Sequence, residues 1–303
     1  MKPSLAPRKR FGQNFLHDPA VLGRIVAAIA PDRPDAMIEI GPGRGALTRP
    51  LLERLEHLEV VELDRDLIPG LRALAPPDRL TIHCADALNF DFAARAPTHG
   101  RLRIVGNLPY NISTPLLFHL LEQASVVRDM HFLLQREVVE RMVAVPGSKR
   151  YGRLGVMLAA RADAKQLFTV GPGAFRPAPR VDSALVRIEP LTTPRVPEAL
   201  SGSFRRVVNQ AFANRRKTLR RALAGLVEPA DIAASGIDDG LRPEQLDIAD
   251  FVALARAAER RAGRQPGPNT DPNTDPNTGP NPGGGPVSTP GTQAAGLKQV
   301  ERT

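Results

Sequence analysis

The stretch MIEIGPGRGALT, residues 37–48, decides the fold that the rest of the chain completes. Residues 37–40 have the apolar pattern of a strand and run directly into three glycines, after which a helical pattern begins. Glycines here allow close approach of the backbone to a ligand, and exposed helix amides can receive an anionic group. The stretch predicts a strand, loop and helix of a doubly wound α/β sheet, although a plain strand-to-helix turn would have similar residues.

Outward from this stretch, apolar runs alternate with helical patterns, which is typical of a parallel sheet. A helix over 19–30 precedes the first strand, with Asp18 as its N-cap. Another helix over 114–123 follows the fourth strand, with Ser113 as a capping candidate. The predicted strands are 37–40, 58–63, 80–84, 102–106, 130–135 and, as a terminal antiparallel pair, 166–170 and 183–188.

Three parts of the chain differ in composition. Residues 191–197 have the pattern of a linker, and the chain is helical and arginine-rich after them. A helix break is expected near Asn214, because Arg215 would otherwise lie within an apolar stripe. The final part contains DPNT repeats, glycines and prolines, and it cannot bury enough apolar surface to offset its ordering entropy. We expect a sheet domain at 1–190, an all-helical domain at 198–262 and a disordered tail at 263–303.

Composition and charge narrow the class of protein. The 303 residues carry a formal net charge of +9, which favours a polyanionic partner but also fits an anionic membrane or simple solubility. The single Cys84 excludes a disulfide framework within the chain and suits a reducing compartment. Six scattered histidines lack metal-ligand spacing, so no metal is expected. Without a membrane span or signal peptide in the sequence, we expect a cytoplasmic location and no membrane contact.

Carboxylates follow the ends of the next two predicted strands. Glu62 lies about twenty residues after the glycine loop, where a carboxylate can accept hydrogen bonds from both ribose hydroxyls. Asp86 suits an adenine amino group, although a turn cap would explain it equally well. These groups meet the glycine loop at the edge where open α/β sheets bind ligands. Gly41, Gly43 and Ala46 also match the dinucleotide pattern, so an NAD-dependent oxidoreductase remains an alternative.

The fourth strand ends in GNLPYN, residues 106–111. The exocyclic amine of adenine is a poor nucleophile because its lone pair is delocalised, and acceptors that favour a more tetrahedral nitrogen assist attack on a methyl sulfonium. The side-chain oxygen of Asn107 and the carbonyl of Leu108 can accept the two amino hydrogens. Pro109 would fix the turn and Tyr110 would stack on the base, although a bland turn remains an alternative. No strong general base is needed, because the alkylated nitrogen readily loses its proton to water.

Eight stretches of the chain together carry a family resemblance. They are KRFGQNFLHD, EIGPGRGALT, VVELDRDL, GNLPYNISTPLLFHLL, MHFLLQREVVERM, YGRLGVM, AFRPAPRVDSA and NQAFANRRKTLR. Over roughly residues 8–260 the sequence resembles the ribosomal small-subunit RNA adenine dimethyltransferases of the KsgA/RsmA type. The resemblance implies a Rossmann-like class I methyltransferase sheet with a small all-helical C-terminal domain. It also implies contacts to the methyl donor S-adenosylmethionine from Asn14, Leu16, Gly41, Glu62, Asp86 and Asn107.

The same resemblance implies dimethylation at N6 of two adjacent adenosines in the 3′-terminal hairpin of small-subunit ribosomal RNA, during late subunit assembly. The expected partners are the small subunit and its RNA, and we expect a monomer. Phe175 would pack the target base opposite Tyr110, although an apolar anchor for its loop is an equal alternative. A related class methylates large-subunit RNA, but the match through NQAFANRRKTLR favours the small-subunit type. A noncatalytic RNA-binding assembly factor remains a further alternative, and the DPNT tail departs from the family pattern.

The helical part carries seven basic and no acidic residues between positions 201 and 227. A charge run is usually a solvated face, but the missing carboxylates remove the usual pairing partners. We therefore favour a surface that contacts RNA phosphates. The basic residues assigned to this surface are Arg215, Arg216, Lys217, Arg220 and Arg221.

Overall fold

A seven-stranded sheet and a two-stranded ribbon organise residues 14–109 and 112–263, which are the residues described by this computed structural model. Every predicted strand is present, with ends that differ by a few residues. The strands are β1 (Phe15–Leu16), β2 (Met37–Ile40), β3 (Leu58–Glu62), β4 (Leu80–Cys84), β5 (Leu102–Asn107), β6 (Val127–Gln135), β7 (Ala162–Val170), β8 (Phe175–Arg176) and β9 (Ser183–Pro190).

The sheet has the strand order β4-β3-β2-β5-β6-β9-β7. Pairing is parallel from β4 to β6, whereas β9 pairs antiparallel with both β6 and β7. The predicted terminal antiparallel pair is therefore confirmed. After β4 the chain returns to pair β5 with β2, so the strand order reverses direction beside β2. A crevice at the carboxyl ends of strands at such a reversal is the usual ligand site of an open α/β sheet.

Along the described chain, the first six α-helices lie between the strands, and the last four follow the final strand. Asp18 caps the first helix as predicted, and its side chain accepts hydrogen bonds from the amides of Ala20 and Val21. The capping prediction for Ser113 is wrong, because the helix begins at this buried residue and its side chain lies within the first turn. The helices are α1 (Pro19–Ile29), α2 (Thr48–Leu52), α3 (Ile68–Arg72), α4 (Ser113–Glu122), α5 (Arg136–Met142), α6 (Arg153–Ala159), α7 (Ser201–Ala213), α8 (Leu219–Ala222), α9 (Pro229–Ala234) and α10 (Ile248–Ala262).

Strand β6 begins three residues before its predicted start, because a charged residue in it is neutralised inside the protein. Asp129 is 1 % exposed, and the Nε atom of Arg103 on β5 lies 3.1 Å from its Oδ1 atom. The same guanidinium group donates to Asp35 over 2.6 Å. A buried charge is tolerated when it is paired and hydrogen-bonded, so a polar residue can occupy this strand.

Helices α7 to α10 pack around a hydrophobic cluster that includes Phe204, Phe251 and Leu254. Helix α7 ends at Ala213 with Asn214 as its C-cap, which confirms the predicted break. The cluster also contains Tyr151 and other residues from α6 and its approach, so these helices pack directly on the sheet-bearing part. Within the described residues, no helix combines the length and apolar composition needed to cross a membrane. The DPNT tail lies outside the described residues.

Candidate functional site

A cavity of about 880 Å³ opens at the carboxyl ends of β2, β3 and β5, where the strand order reverses. Its size is that of a small-molecule site. The predicted residues of five separate stretches of sequence line it together, although they are far apart along the chain. The lining residues that the sequence singles out are Asn14, Leu16, Gly41, Glu62, Asp86, Asn107, Leu108 and Pro109.

The glycine loop bends sharply at the floor of this cavity. Gly41 and Gly43 have φ angles of 66° and 58°, in the left-handed region that favours glycine. The amide of Gly41 donates to the carbonyl of Val61 over 2.9 Å, which ties the loop to β3. A Cβ atom at Gly43 would also lie 3.0 Å from the ring of Phe15, so only glycine allows this ring to approach the loop.

Glu62 is held at the end of β3 by two backbone amides. Its Oε2 atom accepts from Gly43 over 3.1 Å and its Oε1 atom accepts from Asp64 over 2.9 Å. Burial raises the pKa of Glu62, while these two hydrogen bonds oppose that rise. Glu62 is only 7 % exposed and lines the cavity, so its acceptor oxygens have a fixed position for a ligand hydroxyl.

Asn107 ends β5 with its side-chain amide oriented by a distant backbone group. Its Nδ2 atom donates to the carbonyl of Asn14 over 2.9 Å, which directs Oδ1 to the other side of the amide. Leu108 is 2 % exposed, and its amide donates to the carbonyl of Leu133 over 3.3 Å. The strand end is thus anchored on both sides. Tyr110, which we expect to stack on the base, lies outside the described residues.

Glu39 is a cavity-lining carboxyl group to which the sequence assigned no role. It lies on β2, is 2 % exposed, and accepts a hydrogen bond of 2.7 Å from the hydroxyl of Thr48. Burial raises the pKa of Glu39 to about 8, and the nearby charge of Glu62 adds to that rise. The sequence feature that could have indicated Glu39 is its position as a single acidic residue in the otherwise apolar strand MIEI, immediately before the glycine loop.

Comparisons with known proteins show the family. The family model described as ribosomal RNA adenine dimethylase matches residues 5–259. The chain belongs to this family. It is 58 % identical over 248 residues to the ribosomal RNA small subunit methyltransferase A of Thiobacillus denitrificans, covering 82 % of this chain and 96 % of that protein. The protein of the same name from Chromobacterium violaceum is 56 % identical over 249 residues, covering 82 % and 94 %.

Two solved structures share the fold. A dimethyladenosine transferase from Plasmodium falciparum has a TM-score of 0.68 at 22 % identity, covering 82 % of this chain and 98 % of that one. The 23S rRNA methyltransferase ErmE has a TM-score of 0.65 at 25 % identity, covering 81 % and 100 %. The Rossmann-like class I methyltransferase fold implied by the motifs is therefore confirmed.

In this member of the ribosomal RNA adenine dimethylase family, Asp86 caps a turn and also lies in the cavity wall. Its Oδ1 atom accepts from the amide of Leu88 over 3.0 Å, as a turn cap does. The same residue lines the cavity. Among the described residues, no group of three or more His, Cys, Asp and Glu side chains could hold a metal ion.

Phe175 lies in the core of this dimethylase-family protein rather than in the cavity wall. It is 2 % exposed and packs in the cluster that contains Leu16 and Leu185. The structure thus favours the apolar anchor over the base-packing role. The next two residues, Arg176 and Pro177, line the cavity in its place.

The premise that the basic run lacks carboxylate partners is wrong for three of its residues. Arg215 donates to Glu244 over 2.6 Å, and its Nη2 atom donates to the carbonyl of Lys149 over 2.8 Å. Arg220 lies 2.8 Å from Asp239, and Arg206 pairs with Glu259. The partners come from positions beyond 227, which a local charge pattern does not include. Arg216, Lys217 and Arg221 are exposed and have no carboxylate partner among the described residues.

Proposed function

We propose that this protein uses S-adenosylmethionine to dimethylate N6 of two adjacent adenosines in the 3′-terminal hairpin of small-subunit ribosomal RNA, during late small-subunit biogenesis. The observation that carries the proposal is the orientation of Asn107 in the cavity. Its amide nitrogen is occupied by the carbonyl of Asn14, so the oxygen is the group directed to accept from a substrate amine. Family membership supports the same activity.

The cavity suits S-adenosylmethionine in size and in charge. Its interior carries the carboxyl groups of Glu62 and Asp86, which favour a cationic ligand, whereas Glu39 with its pKa of about 8 adds little charge near neutral pH. Glu62 would hold the ribose hydroxyls and Asp86 the adenine amino group, while Gly41 allows the backbone to approach. Asn14 and Leu16 would close the site from the N-terminal side. When bound, S-adenosylmethionine supplies an electrophilic methyl group.

The chain's own groups prepare the target amine for transfer. Asn107 Oδ1 and the carbonyl of Leu108 would accept its two hydrogens and favour a tetrahedral nitrogen. Pro109 leaves no amide hydrogen to compete at this place. Tyr110 would stack on an adenine extruded from the RNA, a contact that contributes about 1 to 3 kcal/mol in single-stranded recognition. The proton of the alkylated nitrogen leaves to water.

The proposed partner is the small ribosomal subunit, bound through the exposed cations of the helical part at 198–262. Arg216, Lys217 and Arg221 would contact phosphates, and Arg215 would position this surface through its bonds to Glu244 and the carbonyl of Lys149. A protein that modifies ribosomal RNA during assembly works where ribosomes are made, so we place it in the cytoplasm. We propose that it acts as a monomer.

The activity is tested by incubating the protein with labelled S-adenosylmethionine and unmethylated small subunits, followed by nucleoside analysis of the RNA. N6,N6-dimethyladenosine should appear. Methylcytosine or methylguanosine alone would contradict the assignment, and NADH binding in place of S-adenosylmethionine would favour an oxidoreductase. Subunit binding without any methyl transfer would favour a noncatalytic assembly factor.

A further inference from the structure

The ribbon of β1 and β8 has one buried face and one face toward the cavity. Phe15 pairs with Arg176, and Leu16 pairs with Phe175. Residues directly opposite in an antiparallel pair have side chains on the same face, and successive residues alternate. Leu16 and Phe175 are 5 % and 2 % exposed and belong to the core. Phe15 and Arg176 therefore share the other face, at the cavity wall that both residues line.

The guanidinium group of Arg44 lies over the ring of Phe15. The Cζ atom of Arg44 is 4.7 Å from the centroid of Phe15, within the range of a cation–π contact. The absence of a side chain at Gly43 lets the ring lie against the glycine loop and reach this position. Phe15 thus brings Arg44 of the loop and Arg176 of β8 to one exposed part of the cavity wall.

Charge is separated between the interior and the rim of the cavity. Of the interior carboxyls, Glu62 is 7 % exposed and Asp86 is half-buried, whereas Arg44 and Arg176 are exposed to solvent. Arg176 has no ion-pair partner among residues 14–109 and 112–263. The acidic interior suits the cationic methyl donor, and the basic rim suits an anion that remains outside.

We propose that Arg44 and Arg176, arranged around Phe15, bind the RNA phosphates that flank the target adenosine at the rim of the cavity. The inference rests on the proposed function. A base that is turned out of its stack into a pocket leaves its own phosphates at the entrance. A guanidinium group binds two phosphate oxygens in a planar, bidentate geometry. Two guanidinium groups beside the entrance would therefore position the flipped nucleotide.

The carboxylate of the methyl donor is the competing anion for this rim, and the test separates the two. The variants are Arg176→Gln and the double variant Arg44→Gln/Arg176→Gln. Arg54→Gln is the matched control, because Arg54 is exposed just after α2 and does not line the cavity. A methylation assay over a salt series gives the concentration of unmethylated small subunits at which the methylation rate is half-maximal. Calorimetric titration with S-adenosylhomocysteine reports the cofactor site alone.

We expect Arg176→Gln to raise the half-saturating subunit concentration about threefold to fivefold, as for loss of an exposed ion pair. The slope of log affinity against log salt should fall by about 0.7 to 0.9 for each phosphate contact removed, with the larger effect in the double variant. Affinity for S-adenosylhomocysteine should match that of Arg54→Gln.

Two results would overturn the inference while leaving the proposed function intact. In the first, the wild type methylates subunits but both rim variants match Arg54→Gln in half-saturation and salt slope. In the second, affinity for S-adenosylhomocysteine falls as much as affinity for subunits, which would assign the rim to the cofactor carboxylate. Failure of the wild type to transfer any methyl group to subunit RNA would instead count against the proposed function.

Discussion

The cavity and the helical basic surface were both predicted from motifs, yet they relate differently to the sequence. In the cavity, residues at the ends of β2, β3, β4 and β5 meet as the strand-end pattern predicted. On the helices, a run without acidic residues suggested seven unpaired cations, but Arg206, Arg215 and Arg220 have carboxylate partners. Backbone topology brings the cavity residues together, whereas the ionic state of the basic surface depends on distant side chains.

Strand-end positions can be predicted from the sequence, whereas ion pairs between distant residues cannot. Parallel strands place their carboxyl ends on one edge, so the position of Glu62 or Asn107 follows from the strand pattern alone. The pairing of Arg215 with Glu244 joins residues 29 positions apart and depends on how α7 packs. Substitutions in the cavity should therefore change cofactor affinity and methylation rate strongly, whereas substitutions on the basic surface should change mainly the salt dependence of RNA binding.

The largest effect is expected in the cavity from Asn107→Ala, which removes the proposed acceptor of the substrate amine. The single-turnover methylation rate at saturating S-adenosylmethionine and subunits should fall by roughly a hundredfold or more. Asn209→Ala on exposed helix α7 is the matched control and should retain the wild-type rate. A near wild-type rate for Asn107→Ala would remove its catalytic role.

Glu39→Gln tests whether ionisation of the buried carboxyl group of Glu39 lowers the stability of the folded protein. The folded pKa of about 8 exceeds the ordinary value of 4.5, so the folded protein binds the proton more tightly. The associated stability is fully present below pH 4.5 and is lost as the pH rises towards 8. Relative to wild type, Glu39→Gln should gain stability over this window, by on the order of a few kcal/mol.

Urea unfolding of the cofactor-free protein across pH checks this prediction. Glu53→Gln, at an exposed position after α2, is the control and should follow the wild-type curve. If the unfolding free energies of Glu39→Gln and wild type change with pH in parallel, Glu39 ionises in the folded protein as it does in the unfolded chain.

Glu62→Ala should separate cofactor binding from chemistry. It removes the proposed ribose acceptor without touching the amine, so the dissociation constant of S-adenosylhomocysteine should rise about tenfold or more. The single-turnover rate at saturating cofactor should fall far less than in Asn107→Ala. Glu62→Gln, which keeps one acceptor oxygen for the amides of Gly43 or Asp64, distinguishes lost ligand binding from a disturbed loop. Unchanged affinity in both variants would exclude Glu62 from the cofactor site.

On the basic surface, the unpaired cations should account for most of the RNA affinity. Replacing Arg216, Lys217 and Arg221 together with glutamine keeps much of the side-chain length at these exposed positions and removes three charges. If all three contact phosphate, the salt slope of small-subunit binding should fall by about 2 to 3, with cofactor affinity unchanged. Salt lines parallel to those of the wild type would place subunit docking elsewhere.

The smallest effect is expected from Arg220→Gln, which tests the paired cations. Asp239 accepts two hydrogen bonds from Arg220, so this charge is already neutralised by the protein. The salt slope should change much less than in the triple variant, and the unfolding midpoint should barely move, as for exposed ion pairs in general. A fall in slope equal to that for an unpaired cation would show that RNA displaces Asp239.

Most of the fold and half of the site could be predicted without coordinates. The alternation of apolar and helical patterns located every strand of the sheet, and the motifs located Gly41, Glu62, Asp86 and Asn107 at one edge. Errors occurred where a polar residue is stabilised from outside its own segment. Strand β6 was predicted too short because Asp129 is neutralised by Arg103, 26 positions earlier.

The sequence by itself determined the α/β architecture, the glycine loop and the strand-end residues, because periodicity and strand direction are local properties of the chain. Tertiary structure alone decided that Asn14 orients Asn107, that Phe175 is buried while Arg176 lines the cavity, and that Arg215 and Arg220 are paired. These features depend on contacts between side chains or backbone groups up to 93 positions apart. Such contacts form only when packing brings the segments together, and no local pattern encodes them.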